Sequence, residues 1–185
     1  GVDGVLDLSD WDLDKDGPVT IEGEWRFAWN SLVKPQPIEE VRHRYTETIQ
    51  TTTRWTKHSL TQSNGTLLGD HGFATYFMRV TLPSAFNHDS FLGFEVGEAM
   101  SSARWTVLSE DGAVEYVAYE HGRVDRHEHD SVIAFSGKEA DYFQVPPEEN
   151  ALVVVVHVSN YSRMRGGLAW APMLGSREAV QKSNR

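Results

Sequence analysis

Residues 19–29 read VTIEGEWRFAW, and apolar side chains stand at almost every second position of this stretch. The apolar set consists of Val19, Ile21, Trp25, Phe27 and Trp29. The positions between them are mostly polar. Because the side chains of a β-strand project alternately to opposite faces, this period predicts a strand with one face on a core and the other in water.

The same two-residue period recurs along the rest of the chain. It is present in residues 74–82, where Pro83 ends the predicted strand because proline has no N–H to donate to a sheet. Further strands are predicted over residues 46–55, 91–96, 102–108, 113–119 and 142–145. Many short strands separated by turn residues, without helices between them, predict an all-β fold, namely an antiparallel β-sandwich.

Residues 151–158 read ALVVVVHV and are apolar at both alternating sets of positions. This pattern predicts a central strand that is covered on both faces. Residues 31–68 are polar and rich in threonine, and we expect them to loop across the surface around one strand. The composition of residues 176–185 suits a short C-terminal helix capped by Ser176. The predicted organisation is one sandwich domain, residues 1–175, followed by a helical tail, residues 176–185.

The composition excludes several classes of function. The formal net charge of −10 at pH 7 disfavours nucleic acids and anionic lipid surfaces as partners. The absence of cysteine excludes disulfides, thiol catalysis and thiolate metal sites. No signal peptide is present, and the longest apolar run, residues 151–156, is too short to span a bilayer. We therefore expect a part excised from a longer protein.

Four segments, taken in order, resemble a known family of bacterial ectodomains. They are GEWRFAW at residues 23–29, GFATYFMRV at 72–80, GEAMSSA at 97–103, and SNY at 159–161 followed by RGGL at 165–168. Together they resemble the periplasmic sensor domains of seven-transmembrane receptors with diverse intracellular signalling modules (7TMR-DISM type). The layout is also similar to the galactose-binding-like jelly roll that opens enzymes of glycoside hydrolase family 2. One departure is the turn at residues 108–112, LSEDG, which is longer than the family's usual Asn-Gly hairpin.

The resemblance implies a fold, a location and a role. The fold would be a galactose-binding-like jelly roll. The location would be the periplasm, as the extracytoplasmic part of an inner-membrane receptor whose output is a histidine kinase or a cyclase. Residues 176–185 would then be a juxtamembrane helix feeding a membrane segment. The role would be non-catalytic sensing of a small polar ligand, with carbohydrate as the leading class, and such a receptor could act as a homodimer.

Aromatic side chains offer one candidate surface for a sugar. The flat faces of Trp25, Phe27 and Trp29 would suit the C–H faces of pyranose rings. These residues, however, share the apolar face of their strand with Val19 and Ile21, which favours a place in the sandwich core. Trp105 is expected in the core for the same reason.

Two clusters could hold a metal ion. Asp12, Asp14 and Asp16 match the opening of a calcium loop, but the twelfth position of that loop is Gly23 instead of the bidentate glutamate. Asp125, His127 and His129 would lie on one face of an extended segment, with His121 nearby in sequence. Two histidines and a carboxylate could bind zinc or another divalent ion, or the segment could instead form a charged sheet edge. The prediction is no metal and no cofactor, with calcium as the open alternative.

Polar residues on predicted strands provide the candidate ligand site. Arg79, Arg104 and His157 stand at positions whose alternates face the core, so they would line the outer face of one sheet if their strands are neighbours. A solvated sheet face is the competing interpretation. The loop over residues 119–129 would cover the same end. The predicted ligand-binding set is Arg79, Arg104, Tyr119, Arg123, His127 and His157.

Catalytic motifs are lacking in the sequence. It contains no nucleophile elbow, no phosphate-binding glycine loop and no HExxH zinc motif, and none of its 27 acidic residues is singled out by position. We therefore predict a binding domain and not an enzyme. Two alternatives stay open, which are a carbohydrate-binding accessory module of a secreted glycoside hydrolase and a domain that contacts a periplasmic protein without any small ligand.

Overall fold

The computed structural model describes residues 1–34, 38–57, 65, 67–133 and 139–183. Parts of two predicted segments lie outside these residues, namely 35–37, 58–64 and 66 of the predicted surface loop and 184–185 of the predicted tail. The strands are β1 (Val5–Asp7), β2 (Val19–Thr20), β3 (Glu24–Trp29), β4 (Glu47–Gln50), β5 (Gly72–Thr81), β6 (Leu92–Glu95), β7 (Glu98–Met100), β8 (Ser102–Ser109), β9 (Glu115–His121), β10 (Ala140–Phe143), β11 (Ala151–Asn160), β12 (Gly167–Trp170) and β13 (Met173–Ser176). The α-helices are α1 (Ile38–Val41) and α2 (Arg177–Ser183), and single turns of 3₁₀ helix cover Arg42–Arg44, Trp55–Lys57 and Glu128–Asp130.

The strands form two main sheets. The larger has seven strands, in the order β4-β3-β5-β11-β8-β9, with β1 parallel to β5. The smaller has the order β10-β6-β13-β2, and β12 and β7 form a separate pair. Apart from β1 with β5, the paired strands of the described residues are antiparallel. The predicted all-β antiparallel sandwich with a short C-terminal helix is confirmed.

One core fills the sandwich between the sheets. Alternate side chains of the long strands point into it, and among its fully buried members are Trp25, Phe27, Tyr76, Met78, Phe94, Trp105 and Val156. The period-two prediction therefore identified the inward face correctly for residues 74–82 and 102–108 and placed Trp25 and Phe27 correctly. Trp29 packs against this core at the edge of the sheet and stays partly exposed.

The prediction of a single strand over residues 19–29 is wrong. The chain breaks between β2 and β3, and the two strands join different sheets, since β2 pairs with β13 and β3 with β5. The break falls at Gly23, whose φ of +114° is a conformation that other residues rarely adopt. Ile21 and Trp25 nevertheless both point into the core, so the alternation survives a change of sheet.

Strand β11 is the centre of the larger sheet, between β5 and β8, and all of its residues are buried. One of its faces contributes Leu152, Val154, Val156 and Val158 to the main core. Its other face contributes Val153 and Val155 to a second apolar cluster with Ala28, Val33, Val41, Tyr45, Phe77 and Leu108. The predicted covering of both faces is thus confirmed.

Residues 31–34 and 38–57 do more than loop across the surface, which corrects the prediction for this segment. Val33, Val41 and Tyr45 cover the outer face of β5 and β11, and Trp55 is fully buried in the main core. The indole N–H of Trp55 donates to the hydroxyl oxygen of Tyr76 at 2.7 Å. The polar composition misled the prediction because a few apolar anchors, spaced without a period, are enough to attach an irregular segment to a sheet.

Helix α2 follows β13 directly and confirms the predicted C-terminal helix. Val180 is fully buried and lies against Gly93 and Gly175, where any larger side chain would meet it at 3.0–3.3 Å. The hydroxyl of Ser183 donates to Glu95 at 3.0 Å. The helix therefore packs on the outer face of the smaller sheet. None of the helices in the described residues is long and apolar enough to cross a bilayer.

Candidate functional site

Arg104 and His157 lie side by side on the outer face of the larger sheet. The register pairs His157 of β11 with Arg104 of β8 on one side and with Thr75 of β5 on the other, and it pairs Arg104 with Glu120 of β9. Directly paired residues of antiparallel strands project to the same face and are within contact distance. The sheet alone therefore brings a guanidinium, an imidazole and a carboxylate together.

A groove of about 580 Å³ lies over this part of the sheet. Leu32 and Lys34, which follow β3, line it from one side, and Val124 and Arg126, which follow β9, line it as well. Its size falls within the range of about 300–1,000 Å³ that is typical of small-molecule sites. Its ionisable lining residues are Lys34, Arg104, Glu115, Glu120, Arg126 and His157.

Three hydrogen bonds attach the segment around Leu32 to the sheet. The hydroxyl of Thr75 accepts from the backbone N–H of Val33 at 3.0 Å and donates to the carbonyl oxygen of Ser31 at 2.7 Å. Nε2 of His157 lies 2.7 Å from the carbonyl oxygen of Val33. A carbonyl oxygen only accepts, so Nε2 carries the proton. This edge of the groove is consequently held in one position.

His157 is a neutral imidazole in this structure. It is 8% exposed, and burial lowers the pKa of His157 below its ordinary value of 6.5. The hydrogen bond to Val33 opposes that shift, and the positive charge of Arg104 adds to it. His157 therefore offers the groove a fixed polar edge without a net charge at neutral pH.

Arg104 is the central cation of the groove. Its Nη1 lies 3.4 Å from Oε1 of Glu120, and its Nη2 lies 3.9 Å from Oε2 of Glu115. Both distances exceed the 2.7–2.9 Å of a strong charge-assisted hydrogen bond. Its Nε is buried and has no hydrogen-bond partner among the described residues. The Arg104 side chain is 42% exposed, so its two Nη groups, which make only these long contacts among the described residues, keep donors for a ligand.

The loop after β9 is fixed where it borders the groove. The hydroxyl of Tyr161 donates to the carbonyl oxygen of Arg126 at 2.6 Å. The backbone N–H of Asp125 lies 3.3 Å from the hydroxyl of Ser159, which in turn lies 2.8 Å from that of Ser102 and 2.9 Å from that of Ser131. Arg126 is therefore presented by an ordered loop.

The groove combines opposite charges with apolar surface. Lys34, Arg104 and Arg126 supply three positive charges against the two carboxylates of Glu115 and Glu120, so that with neutral His157 the net charge is +1. The whole chain carries −10, so the groove is a local exception. The apolar part of its lining is Leu32, Leu108, Ala113 and Val124. Such a lining suits a ligand with hydroxyl or carboxylate groups on an otherwise compact frame.

Of the predicted ligand-binding residues, Arg104 and His157 are the two that line the groove. Arg79 lies on the same face, but its partner on β11 is Val153, four residues from His157, which places it about 13 Å along the sheet. There its Nε donates to Glu110 at 2.6 Å and its Nη1 to Thr81 at 3.0 Å. The structure does not bring Arg79 together with the other two.

The structure does not bring Tyr119, Arg123 or His127 into the groove either. Tyr119 pairs with Trp105 and packs against the main core, so it lies on the opposite face of the sheet. Nε of Arg123 donates to the carbonyl oxygen of Asp130, and the ring of His127 stacks on that of His129 with centroids 5.8 Å apart. The predicted loop does reach the groove, but through the alternate residues 124 and 126.

Sequence reasoning missed Lys34, Glu115, Glu120 and Arg126. Glu120 could have been found, because pairing β8 and β9 as a hairpin in the observed register places Glu120 directly opposite Arg104. Lys34 and Arg126 lie in segments without strand or helix periodicity, and the sequence contains no pattern that places them.

The candidate metal clusters are engaged in other interactions. Oδ1 of Asp12 accepts from the backbone N–H groups of Asp14 and Lys15, and its Oδ2 pairs with the ammonium of Lys15 at 2.8 Å. The carboxylate of Asp125 accepts from the backbone N–H of His127 at 3.0 Å. The part of the chain that the structure describes contains no group of three or more His, Asp or Glu residues arranged to hold a metal ion.

Comparisons with known proteins were made at three levels. No protein-family model matches the chain, and no curated protein matches it in sequence. Solved structures do match. A β-glucuronidase from Faecalibacterium prausnitzii aligns with a TM-score of 0.53 and 11% identity, and a glycosyl hydrolase family 2 member from Bacteroides cellulosilyticus with 0.55 and 10%.

These alignments cover 86% of this chain but 31% and 20%, respectively, of the two enzymes. A β-glucuronidase from Ruminococcus gnavus gives the same picture, with a TM-score of 0.50, 12% identity, and coverage of 86% of this chain and 28% of the enzyme. At such low identity the likeness shows the fold alone. The fold is thus a galactose-binding-like β-sandwich of the kind that forms a minor part of glycoside hydrolase family 2 proteins.

Proposed function

We propose that this chain is a non-catalytic recognition domain that binds a small polar ligand, a carbohydrate, in the groove over Arg104 and His157. The observation that carries the proposal is the state of Arg104. Its guanidinium is partly exposed and, in the described residues, its two Nη groups make only long contacts to carboxylates, in a groove of about 580 Å³. An arginine fork suits planar groups and adjacent oxygens, as in sugar hydroxyls and carboxylates.

A non-catalytic role fits the small part of each similar enzyme that aligns with this chain. The chain spans less than a third of the enzymes named above. It also contains none of the nucleophile, phosphate-binding or zinc motifs considered from the sequence. Hydrolysis of a glycoside by the isolated domain, lost on replacing Glu115 or Glu120, would contradict this part of the proposal.

We further propose that the recognition domain is an extracytoplasmic sensor of a bacterial membrane receptor, such as a histidine kinase or a diguanylate cyclase. The ordered resemblance of the segments at residues 23–29, 72–80, 97–103 and 159–168 supports it. Helix α2 would connect to the membrane segment. Because α2 packs on the sandwich, a change in the domain could change the position of this helix. A ligand changes the output only if it binds two arrangements of the domain, or of its homodimer, with different affinity.

A second candidate is an accessory module of a secreted glycoside hydrolase. The similarity to parts of family 2 enzymes favours it. The two candidates differ in the segment that the gene encodes after residue 185. Hydrophobic helices there would support the sensor, and a catalytic barrel would support the hydrolase module.

The binding proposal is tested by thermal unfolding with panels of neutral sugars, acidic sugars and amino acids. A ligand at about 100 times its Kd adds about 2.7 kcal/mol of stability, and each kcal/mol raises the melting temperature of a domain of this size by about 2–4 °C. Arg104→Ala should abolish the ligand-induced shift. Arg79→Ala is the matched control, because Arg79 lies on the same face outside the groove, and it should retain the shift.

Arg104→Lys adds a sharper comparison. A lysine keeps the positive charge but lacks the planar fork, so a ligand held bidentately should bind at least several-fold more weakly to this variant than to the wild type. If the full panel leaves the wild-type melting temperature unchanged, or if Arg104→Ala shifts as the wild type does, the groove is not the ligand site.

A further inference from the structure

Trp170 is the most exposed of the tryptophans in the chain. Its exposed fraction is 56%, against 37% for Trp11 and 0–1% for Trp25, Trp55 and Trp105. An isolated exposed aromatic residue is ordinary on a protein surface. Trp170, however, lines a second cavity of about 290 Å³ at the β7–β12 pair, with Arg54, Arg165 and Glu98.

A β-bulge turns Trp170 outward. Leu168 of β12 pairs with Ala99 of β7, whereas Trp170 pairs with the preceding Glu98, so two steps on β12 match one step on β7. Strict alternation would put Leu168 and Trp170 on the same face. Leu168 is 2% exposed in the main core, and the extra residue at 169 sends the indole to the other face, beside Glu98. The exposure of Trp170 is thus built into the backbone.

The surrounding backbone fixes the charged groups of the cavity. The N–H of Trp55 donates to the carbonyl oxygen of Gly166 at 3.1 Å, which joins the segment carrying Arg54 to the segment carrying Arg165. The side-chain amide of Asn160 donates to the carbonyl oxygen of Arg163 at 2.8 Å and accepts from the N–H of Arg163 at 3.1 Å, which closes the turn before Arg165.

Among the described residues, the charged side chains of this cavity have no partner. No hydrogen bond or ion pair engages the side chains of Arg54, Glu98 or Arg165 within the described ranges. The cavity therefore combines a flat aromatic face with two guanidinium groups and one carboxylate. Its volume of about 290 Å³ lies just below the range of about 300–1,000 Å³ that is typical of small-molecule sites, so we expect a ligand no larger than a single ring.

We propose that the cavity beside Trp170 is a second binding site, for one pyranose ring of a saccharide. The apolar C–H face of the ring would lie on the indole. Hydroxyl groups at the ring edge would accept from Arg54 and Arg165 and donate to Glu98. This site lies on different elements from the Arg104 groove and does not depend on it.

The test uses the indole N–H signals in two-dimensional NMR of the whole chain, titrated with glucose, galactose and glucuronate. At least one of these sugars should shift the Trp170 signal, which Trp170→Phe identifies by its loss. Followed at the backbone N–H signals of Gly166 and Gly167, which line the same cavity, Trp170→Ala should lower the affinity for that sugar by about tenfold or more. Trp11→Ala is the matched control, because Trp11 is also exposed, and this variant should bind as the wild type does.

Two further variants separate this site from the groove. Arg165→Ala should weaken binding at Trp170, whereas Arg104→Ala should leave it unchanged. Trp170 is exposed, so Trp170→Ala should melt within about 1 °C of the wild type, which shows that the variant folds. The proposal is overturned if none of the three sugars moves the Trp170 signal, or if Trp170→Ala retains wild-type affinity. It is also overturned if the chain forms dimers through Trp170 and binds no sugar there.

Discussion

The hydroxyl of Tyr161 donates a hydrogen bond of 2.6 Å to the carbonyl oxygen of Arg126. Tyr161 directly follows the central strand β11, and Arg126 belongs to the loop that follows β9. The bond therefore ties the segment that carries one cation of the groove to the residue directly after the central strand of the sandwich. The same hydroxyl also lies 3.4 Å from the carbonyl oxygen of Asp125, so it serves two consecutive carbonyl groups of the loop.

Tyr161→Phe should loosen this loop and weaken ligand binding in the groove. Loss of one such hydrogen bond costs about 0.5–1.5 kcal/mol, so we expect affinity to fall by about twofold to twelvefold. Tyr119→Phe is the matched control, since the Tyr119 hydroxyl makes no hydrogen bond among the described residues and lies on the other face. Calorimetric titration of the ligand found by thermal shift measures both. Equal affinities for the two variants would mean that the bond does not position Arg126.

Two buried threonines on the outer face provide a paired prediction on stability. Thr75 bonds to Val33 and to Ser31 through its hydroxyl, whereas the hydroxyl of Thr106 is buried without a partner among the described residues. Thr75→Val should lower the free energy of unfolding by about 1–3 kcal/mol, because it leaves a buried N–H and a carbonyl unpaired. Thr106→Val should be neutral or stabilising, because it removes a buried polar atom that has nothing to bind.

Urea unfolding of both variants measures this difference. Thr75→Val should also weaken binding in the groove, since the segment at residues 31–34 loses its attachment. A larger loss of stability in Thr106→Val than in Thr75→Val would show that the Thr75 hydrogen bonds do not hold that segment.

Position 166, the first glycine of the sequence GGL at residues 166–168, has no room for a side chain. A Cβ added there would overlap Cε3 of Trp55 and would lie 2.5 Å from the carbonyl oxygen of Asp70. Gly166→Ala should therefore displace the buried indole and cost about 1–3 kcal/mol of stability. Gly69→Ala is the control, because its added Cβ would meet no atom closer than 3.9 Å, and it should stay within about 0.5 kcal/mol of the wild type. Thermal unfolding of the two variants is sufficient, and equal melting temperatures would contradict the clash.

Much of the fold follows from the two-residue period, because strand alternation is a local property. It placed Trp25, Tyr76 and Trp105 in the core and Arg104 and His157 on one outer face. It could not place the break at Gly23 or the bulge at residue 169, since both depend on which sheet or partner strand the chain meets next.

The groove itself was only half predictable. Its floor is formed by strands β11, β8 and β9. The sequence suggests their order, because β8 and β9 can pair as a hairpin and β11 is expected at the centre of the sheet. Its borders depend on contacts between residues far apart in the chain. Val33 reaches Thr75 across 42 residues and His157 across 124. No pattern within the irregular segment around Val33 encodes those contacts.

His157 gives the stability of this domain a defined dependence on pH. Because burial lowers its pKa below 6.5, the unfolded chain binds a proton at this residue more readily than the folded chain does. The stability linked to neutral His157 is therefore fully present above pH 6.5 and is lost as the pH falls towards and through the lower folded pKa. The slope from this residue is at most about 1.4 kcal/mol for each pH unit.

His157→Gln keeps a donor for the carbonyl of Val33 but does not titrate. The difference in unfolding free energy between wild type and variant, measured by urea unfolding from pH 5 to pH 8, cancels the other ionisable groups. This difference should be constant above pH 6.5, and below pH 6.5 the wild type should lose stability relative to the variant. A difference that stays constant across the whole range would show that His157 accepts its proton as easily in the folded domain as in the unfolded chain.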